Sequence, residues 1–275
     1  MKNSITLGAK LERIVEAVRD VAQHLWDKGW AESNAGNISV NVTEYLSDAP
    51  TDLDHFPLTH MEQSYPSLSG CSFLISGAGT RMRDLARRPA ENACILRMAD
   101  DAFSYDVIWG GGAETGFRPT SELASHLSLH QFLLQQETSA RAVVHTHPTE
   151  LIALTHTSEY NDEDVLNRAL WAMLPEVKIL IPEGIALVPY QVPGSEAIAQ
   201  ATVNALPGHR IALWEKHGCL AIAPTATEAL DLIDTANKAA QIFLTCRSAG
   251  FTPEGLTASQ IQGLADFFGP KEPST

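Results

Sequence analysis

His145 and His147 stand one residue apart at the end of an apolar, β-branched run, Arg141-Ala142-Val143-Val144-His145-Thr146-His147-Pro148. Residues i and i+2 of a strand share a face, with Cα atoms roughly 6.6 Å apart, so the two imidazoles can converge on one metal ion. His217 supplies a third imidazole from Glu215-Lys216-His217-Gly218, a turn between two apolar runs. Three nitrogen ligands and an open position describe a catalytic zinc site. Structural zinc sites more often use closely paired cysteines, whereas Cys71, Cys94, Cys219 and Cys246 are scattered and His-Glu-x-x-His is absent. A rival set, Glu122, His126 and His130, shares a helix face at i, i+4 and i+8; His126 and His130 read instead as lining a polar helix face. Taken alone, His145 and His147 fit ordinary strand-end hydrogen bonding equally well. Glu122 likewise fits an acid complementing a helix dipole, Asn34 and Asn37 fit turn formers, and Ser121 fits a cap.

The elements that must carry these residues follow from periodicity and punctuation. Leu11, Ile14, Val15, Val18, Val21, Ala22, Leu25 and Trp26 recur at three and four, predicting an amphipathic helix over residues 9–28 that stops at Gly29. A turn of small and amide residues, 30–37, leads into the alternating strand Ile38-Ser39-Val40-Asn41-Val42. Residues 43–70 lose all pattern and read as a loop insertion, with His55 and His60 on the surface. Ser72-Phe73-Leu74-Ile75 is a buried strand running into the Gly-rich turn Ser76-Gly77-Ala78-Gly79, whose amides suit an anion. Residues 81–88 predict a short helix, and 93–98 and 104–109 an antiparallel pair. Pro119-Thr120-Ser121-Glu122 opens a helix capped by Thr120 or Ser121, with Glu122 in the first turn. Thr149 caps the helix after His147. Residues 164–173 read as helix, 175–182 as a connector with strand character, and 185–190 as a strand. A helix opens at Gly194-Ser195-Glu196, the hairpin that presents His217 follows, Thr225 caps a long helix, and a last helix covers about 257–268.

Composition bounds the rest. The chain has 275 residues, 44% hydrophobic and 19% charged, so it is globular with material for a substantial core, read here as one domain over 1–275. No run approaches the roughly 18 apolar residues of a membrane span. The amino-terminal residues lack the order of a signal peptide, and the scattered thiols point to a cytoplasmic protein. A net charge of −14 argues against nucleic acid, but a small phosphorylated substrate remains open through backbone amides.

Asn34-Ala35-Gly36-Asn37-Ile38-Ser39, Ser76-Gly77-Ala78-Gly79, Pro119-Thr120-Ser121-Glu122, His145-Thr146-His147 and Lys216-His217-Gly218 occur in the order that resembles the class II aldolase and adducin family. The likeness spans about residues 9–268. The insertion at 43–70 and the extra hairpin before Pro119 resemble the longer subclass that acts on L-rhamnulose 1-phosphate. The resemblance implies a three-layer α/β/α fold around a largely antiparallel sheet, in a homotetramer with sites at subunit interfaces. It implies that His145, His147 and His217 hold one Zn²⁺ per subunit. It places Asn34, Gly36, Asn37, Ser76, Gly77 and Ser121 around the substrate phosphate and neighbouring hydroxyl. Glu122 becomes the acid/base, and Glu176 matches a position that reaches a neighbouring subunit's site. The implied reaction is retro-aldol cleavage to dihydroxyacetone phosphate and L-lactaldehyde. Fuculose-phosphate-type cleavage, pentulose-phosphate 4-epimerisation and an adducin-like scaffold are the alternatives; Ser121-Glu122 favours cleavage over epimerisation, where Asp is usual. Ala35 departs from relatives that carry a second glycine, which matters only if the backbone there needs positive φ.

Overall fold

The computed structural model describes residues 5–46, 57–111 and 116–269. The first half of the chain runs α1 (Ala9–Asp27), β1 (Asn37–Asn41), β2 (Thr59–His60), β3 (Ser72–Ser76), α2 (Met82–Arg87), α3 (Pro89–Asn92), β4 (Ala93–Met98), β5 (Ser104–Gly110) and α4 (Leu123–Gln135). The second half runs β6 (Ala142–Thr146), α5 (Thr149–Leu154), α6 (Glu163–Met173), α7 (Pro175–Leu180), β7 (Ala186–Val188), α8 (Glu196–Ala205), β8 (Ile211–Trp214), β9 (Gly218–Ala223), α9 (Ala226–Ser248) and α10 (Ala258–Phe268). Among the described residues the strands form one sheet ordered β2-β5-β4-β3-β1-β6-β9-β8-β7. Every neighbouring pair is antiparallel except β7 with β8. The fold is therefore α/β around a largely antiparallel sheet, as the resemblance implies.

Alternation along the strands assigns the two faces. Ile38, Val40, Ala142, Val144 and Ala221 join one core with α1, α5 and α9. Val143, Leu220 and Ile222 turn the other way and pack with Leu129, Leu133 and Ile198 of α4 and α8. Phe73, Ile75 and Leu127 extend that second layer toward β4 and β5. The period of two then places Asn37 and Ser39 of β1, and His145 of β6, on the α4 side. No helix among the described residues is long and apolar enough to cross a membrane.

Most predicted elements stand near their predicted bounds, and four details differ. Residues 175–180 are a helix, not a strand-like connector: Pro175 occupies the first turn, where its fixed φ suits a helix, and Val177 is buried. The β-branched, apolar composition of Val177-Lys178-Ile179-Leu180 imitates a strand only when its packing is ignored. Pro148 holds the N-cap position of α5, so Thr149 is its first residue and not its cap. Glu122 sits at the N-cap of α4, with Thr120 Oγ1 accepting from the Glu122 amide at 3.2 Å, so it precedes the first turn. The insertion is not pure loop, because Thr59 and His60 pair with Tyr105 and Ser104 as an edge strand. His60 is exposed, as expected, and its Nδ1 meets Ser104 Oγ at 2.7 Å. His55, residues 47–56 and the end of the glycine run at 112 lie outside the described residues.

A further difference bears on stability. His126 and His130 do not line a polar solvent face: α4 turns both onto the sheet, and they are 1% and 2% exposed. Burial pulls their pKa values down to about 4 and about 3. An unfolded histidine titrates near ~6.5, so as pH falls the unfolded chain takes up these protons before the folded one does. Their contribution to stability is complete above ~6.5 and is lost as pH falls toward the folded values. Urea unfolding of metal-free protein at a series of pH values checks this. His130→Gln should flatten the fall in stability by about 1.4 kcal/mol per pH unit between ~6 and ~4; an unchanged slope would mean that the His130 ring is not held neutral.

Candidate active site

The antiparallel ladders bring distant parts of the chain to one end of the sheet. β6 pairs with β1, placing His145 opposite Asn37, and with β9, placing His145 opposite Leu220. The strand end is tied to the loop before β1: Thr146 Oγ1 donates to the Trp30 carbonyl at 2.7 Å and the His147 amide to the same oxygen at 2.9 Å. The β8–β9 turn folds over from the other side. Lys216 takes φ +59° there, with its amide held by Thr155 Oγ1 at 2.8 Å, and His217 is delivered beside the other two imidazoles. Gly218 makes the approach possible, because a Cβ at that position would lie 2.6 Å from His145 Cε1 and 2.8 Å from His147 Cδ2. Gly36 has φ +79° and passes so close that a Cβ would stand 3.2 Å from the His145 carbonyl. Ala35 is not among the residues of positive φ, so the departure noted there carries no backbone strain.

His145, His147 and His217 each offer a ligand atom, and these atoms lie within 4.8 Å of one another. The ring centroids are 5.0–5.2 Å apart. Each outer nitrogen has its own environment. His145 Nδ1 donates to the Cys219 carbonyl at 3.0 Å, and His147 Nδ1 donates to Glu32 Oε1 at 2.6 Å. Both bonds turn Nε2 inward, and a neutral ring that donates from Nδ1 keeps its Nε2 lone pair for a ligand. His217 Nδ1 is buried without a hydrogen-bond partner among the described residues. Trp214 forms a wall for two of the rings, 4.5 Å from His145 and 5.1 Å from His217, and is itself anchored by Nε1 donating to Thr202 Oγ1 at 2.8 Å. Burial, and then the neighbouring His147 and His217 rings, hold the His145 pKa well below its ordinary value, and burial also lowers that of His217. Neutral imidazoles are the form that binds a cation, so this donor set fits a divalent transition metal.

Glu122 reaches the same point from the start of α4. Its Oε2 is 3.7 Å from His145 Nε2 and its Oε1 is 3.9 Å from His217 Nε2. It is 7% exposed, and Asn37 Nδ2 donates to Oε2 at 2.8 Å. The rival set is divided by this geometry: Glu122 joins the histidine triad, while His126 and His130 point to Ser39.

The remaining residues fall at graded distances from the centre. Gly36 and Asn37 adjoin His145 through backbone and register. Asn34 is exposed in the turn before them and accepts from Ser33 Oγ at 3.2 Å. Ser76 Oγ accepts from the Ile38 amide at 3.1 Å, which joins the Gly-rich turn to β1. The amides of Gly77, Ala78 and Thr80 are engaged by the carbonyls of Asn92, Arg118 and Gly77. Fewer of them are therefore free to meet an anion than the Gly-rich sequence suggests. Ser121 is exposed and opens onto a cleft of about 720 Å³ that Arg118, Tyr105 and Glu196 also line. Glu176 lies exposed in the first turn of α7, which packs against α6, α9 and α10, and no described contact joins it to the histidines. Glu32 and Trp214 escaped the sequence reading. One orients a ligand and the other walls the cluster, and neither stands in a periodic or motif context that marks it.

Comparisons with known proteins place the chain in a family. Residues 16–244 match the class II aldolase and adducin N-terminal domain family. A rhamnulose-1-phosphate aldolase of Bacteroides thetaiotaomicron is 41% identical over 271 residues, covering 98% of each chain. That of Listeria welshimeri is 36% identical, covering 90% of this chain and 89% of its own. The crystal structure of a sugar-phosphate aldolase from Thermotoga maritima superposes with a TM-score of 0.76 at 31% identity, covering 90% of this chain and all of that one. With its three imidazoles and one carboxylate at the end of a shared sheet, the chain belongs to the class II aldolase and adducin family.

Proposed function

We propose that this chain is a metal-dependent aldolase that cleaves L-rhamnulose 1-phosphate to dihydroxyacetone phosphate and L-lactaldehyde. The observation that carries the reading is the set of three converging imidazoles with a buried carboxylate 3.7 and 3.9 Å from two of them. Near-full-length identity to rhamnulose-1-phosphate aldolases selects the substrate within the family. His145, His147 and His217 hold the metal, and zinc suits an all-nitrogen set with an open position. A zinc ion held there would supply Lewis acidity, polarising the ketose oxygens and stabilising the negative charge left by C3–C4 cleavage.

The chain's own groups do the rest. Glu122 moves the C3 proton: Asn37 holds its Oε2, which leaves Oε1 to face the reacting carbon. Asn34, Gly36, Asn37, Ser76, Gly77 and Ser121 surround the phosphate and the neighbouring hydroxyl. Glu176, exposed on α7, serves the site of a neighbouring copy in a cytoplasmic homotetramer, with residues 1–275 acting as one domain.

Substrate class and metal dependence are tested together. Purified protein should cleave L-rhamnulose 1-phosphate in preference to L-fuculose 1-phosphate and lose activity on chelation. Preference for the fuculose ester would reassign the substrate, and full activity after complete metal removal would end the metal reading.

Zinc content per chain tests the ligand set. His145→Ala, His147→Ala and His217→Ala should each lose the metal and most activity, whereas His126→Ala and His130→Ala should keep the metal. Glu32→Ala removes only the carboxylate that orients His147 and should weaken metal affinity about 10–100-fold. Normal zinc affinity in His217→Ala would remove that residue from the set.

Glu122→Gln should leave fold and zinc intact while lowering kcat about 10²–10⁴-fold, with substrate binding largely kept. The same variant should exchange the C3 proton of dihydroxyacetone phosphate with deuterium far more slowly than wild type. Exchange at the wild-type rate with zinc bound would exclude Glu122 as the proton carrier.

A further inference from the structure

Beneath α4 a line of polar side chains runs through apolar surroundings and ends on Glu122. His130 Nε2 meets Ser39 Oγ at 2.8 Å, and the same oxygen meets His126 Nδ1 at 2.6 Å. His126 Nε2 meets Asn37 Oδ1, and Asn37 Nδ2 meets Glu122 Oε2 at 2.8 Å. Ser39, His126 and His130 are each no more than 2% exposed, and the His130 ring lies 4.6 Å from that of Phe73. Three polar side chains in such a place need a reason beyond packing, because each must be fully partnered to be tolerated.

The direction of every bond follows from the last one. A carboxylate only accepts, so the Asn37 amide must turn its NH₂ toward Glu122 and its oxygen toward His126. His126 Nε2 must then carry the proton. Burial keeps this ring neutral near pH 7, its pKa lying at about 4, so Nδ1 is a bare acceptor. The Ser39 hydroxyl must donate to it and accept from His130 Nε2–H. One orientation satisfies the whole chain: His130 donates to Ser39, Ser39 to His126, His126 to Asn37, and Asn37 to Glu122. Every donor points toward the carboxylate, and aligned bonds of this kind polarise one another. A flipped Asn37 would set two acceptors face to face, so the chain also locks the amide that restrains Glu122.

We propose that Ser39, His126 and His130 are positioning residues for the aldol reaction: through Asn37 they fix the rotation of the Glu122 carboxylate and reserve Oε1 for the C3 proton. The inference rests on Glu122 being the proton carrier. A reacting group misplaced by about 1 Å can lose on the order of 10²-fold in rate, so a chain that stops a carboxylate from turning has a kinetic consequence.

Two measurements on zinc-loaded protein decide it. Nitrogen-15 spectra of histidine-labelled wild type should show His126 and His130 as neutral Nε2–H tautomers; a proton on Nδ1 of His126 would reverse the chain and overturn the proposal. This reading needs neither activity nor a variant. Ser39→Ala should then lower kcat for C3-proton exchange of dihydroxyacetone phosphate about 10–100-fold per zinc-loaded molecule, with KM within about twofold. His130→Leu should lose kcat in the same sense, and His130→Gln, which keeps an N–H donor for Ser39, should recover most of it. Wild-type kcat in Ser39→Ala, or equal loss in both His130 variants, would leave these residues a structural role alone. Absence of exchange in wild type would instead count against the aldolase reading, and the tautomer result would still judge the chain.

Discussion

The site depends on the register of one strand. β6 is paired on both edges, with Asn37 opposite His145 on one side and Leu220 opposite it on the other. A slip of one residue would turn Val144 to the α4 face and His145 into the apolar layer under α9. The apolar residues prevent that slip. Ala142 and Val144 belong to the α1, α5 and α9 core, and Val143 belongs to the α4 and α8 core, so neither face tolerates the exchange. The hydrophobic pattern thus sets the position of the imidazole, although no apolar side chain donates a pair of electrons.

Given that register, the imidazoles crowd each other by design of the backbone. The rings lie about 5 Å apart, and at His145 and His217 burial disfavours protonation, since a positive charge there would lose water and face its neighbours. The same arrangement that excludes protons leaves lone pairs for a cation. Glu32 and the Cys219 carbonyl then fix which nitrogen of His147 and His145 faces inward. Ligand direction is therefore set by groups outside the donor set.

Much of this was legible in the residues. The period of three and four gave α1, Gly194-Ser195-Glu196 and the cap Thr225 gave the starts of α8 and α9, and the two apolar runs around Lys216 gave the hairpin that delivers His217. His145 and His147 could be seen to share a strand end. What stayed hidden depends on partners far away in the chain. His126 and His130 look like solvated polar residues until Ser39, on a strand about ninety residues earlier, comes to lie beneath them. Glu32 acquires meaning only when His147 arrives beside it. Residues 175–180 imitate a strand because composition records β-branching and not the burial of Val177 among helices. The Gly-rich turn suggested free amides, and only the opposing carbonyls of Asn92 and Arg118 reveal that they are spoken for.

The double pairing of β6 also orders events during synthesis. Its first partner, β1, has left the ribosome long before β6 appears, but its second, β9, follows only after roughly eighty further residues. At ~5–20 residues per second that interval is on the order of ten seconds, during which β6 has an open, apolar edge that can pair with another nascent chain. The hairpin that closes this edge is the one that carries His217, so the edge is sealed and the third imidazole arrives in the same folding step.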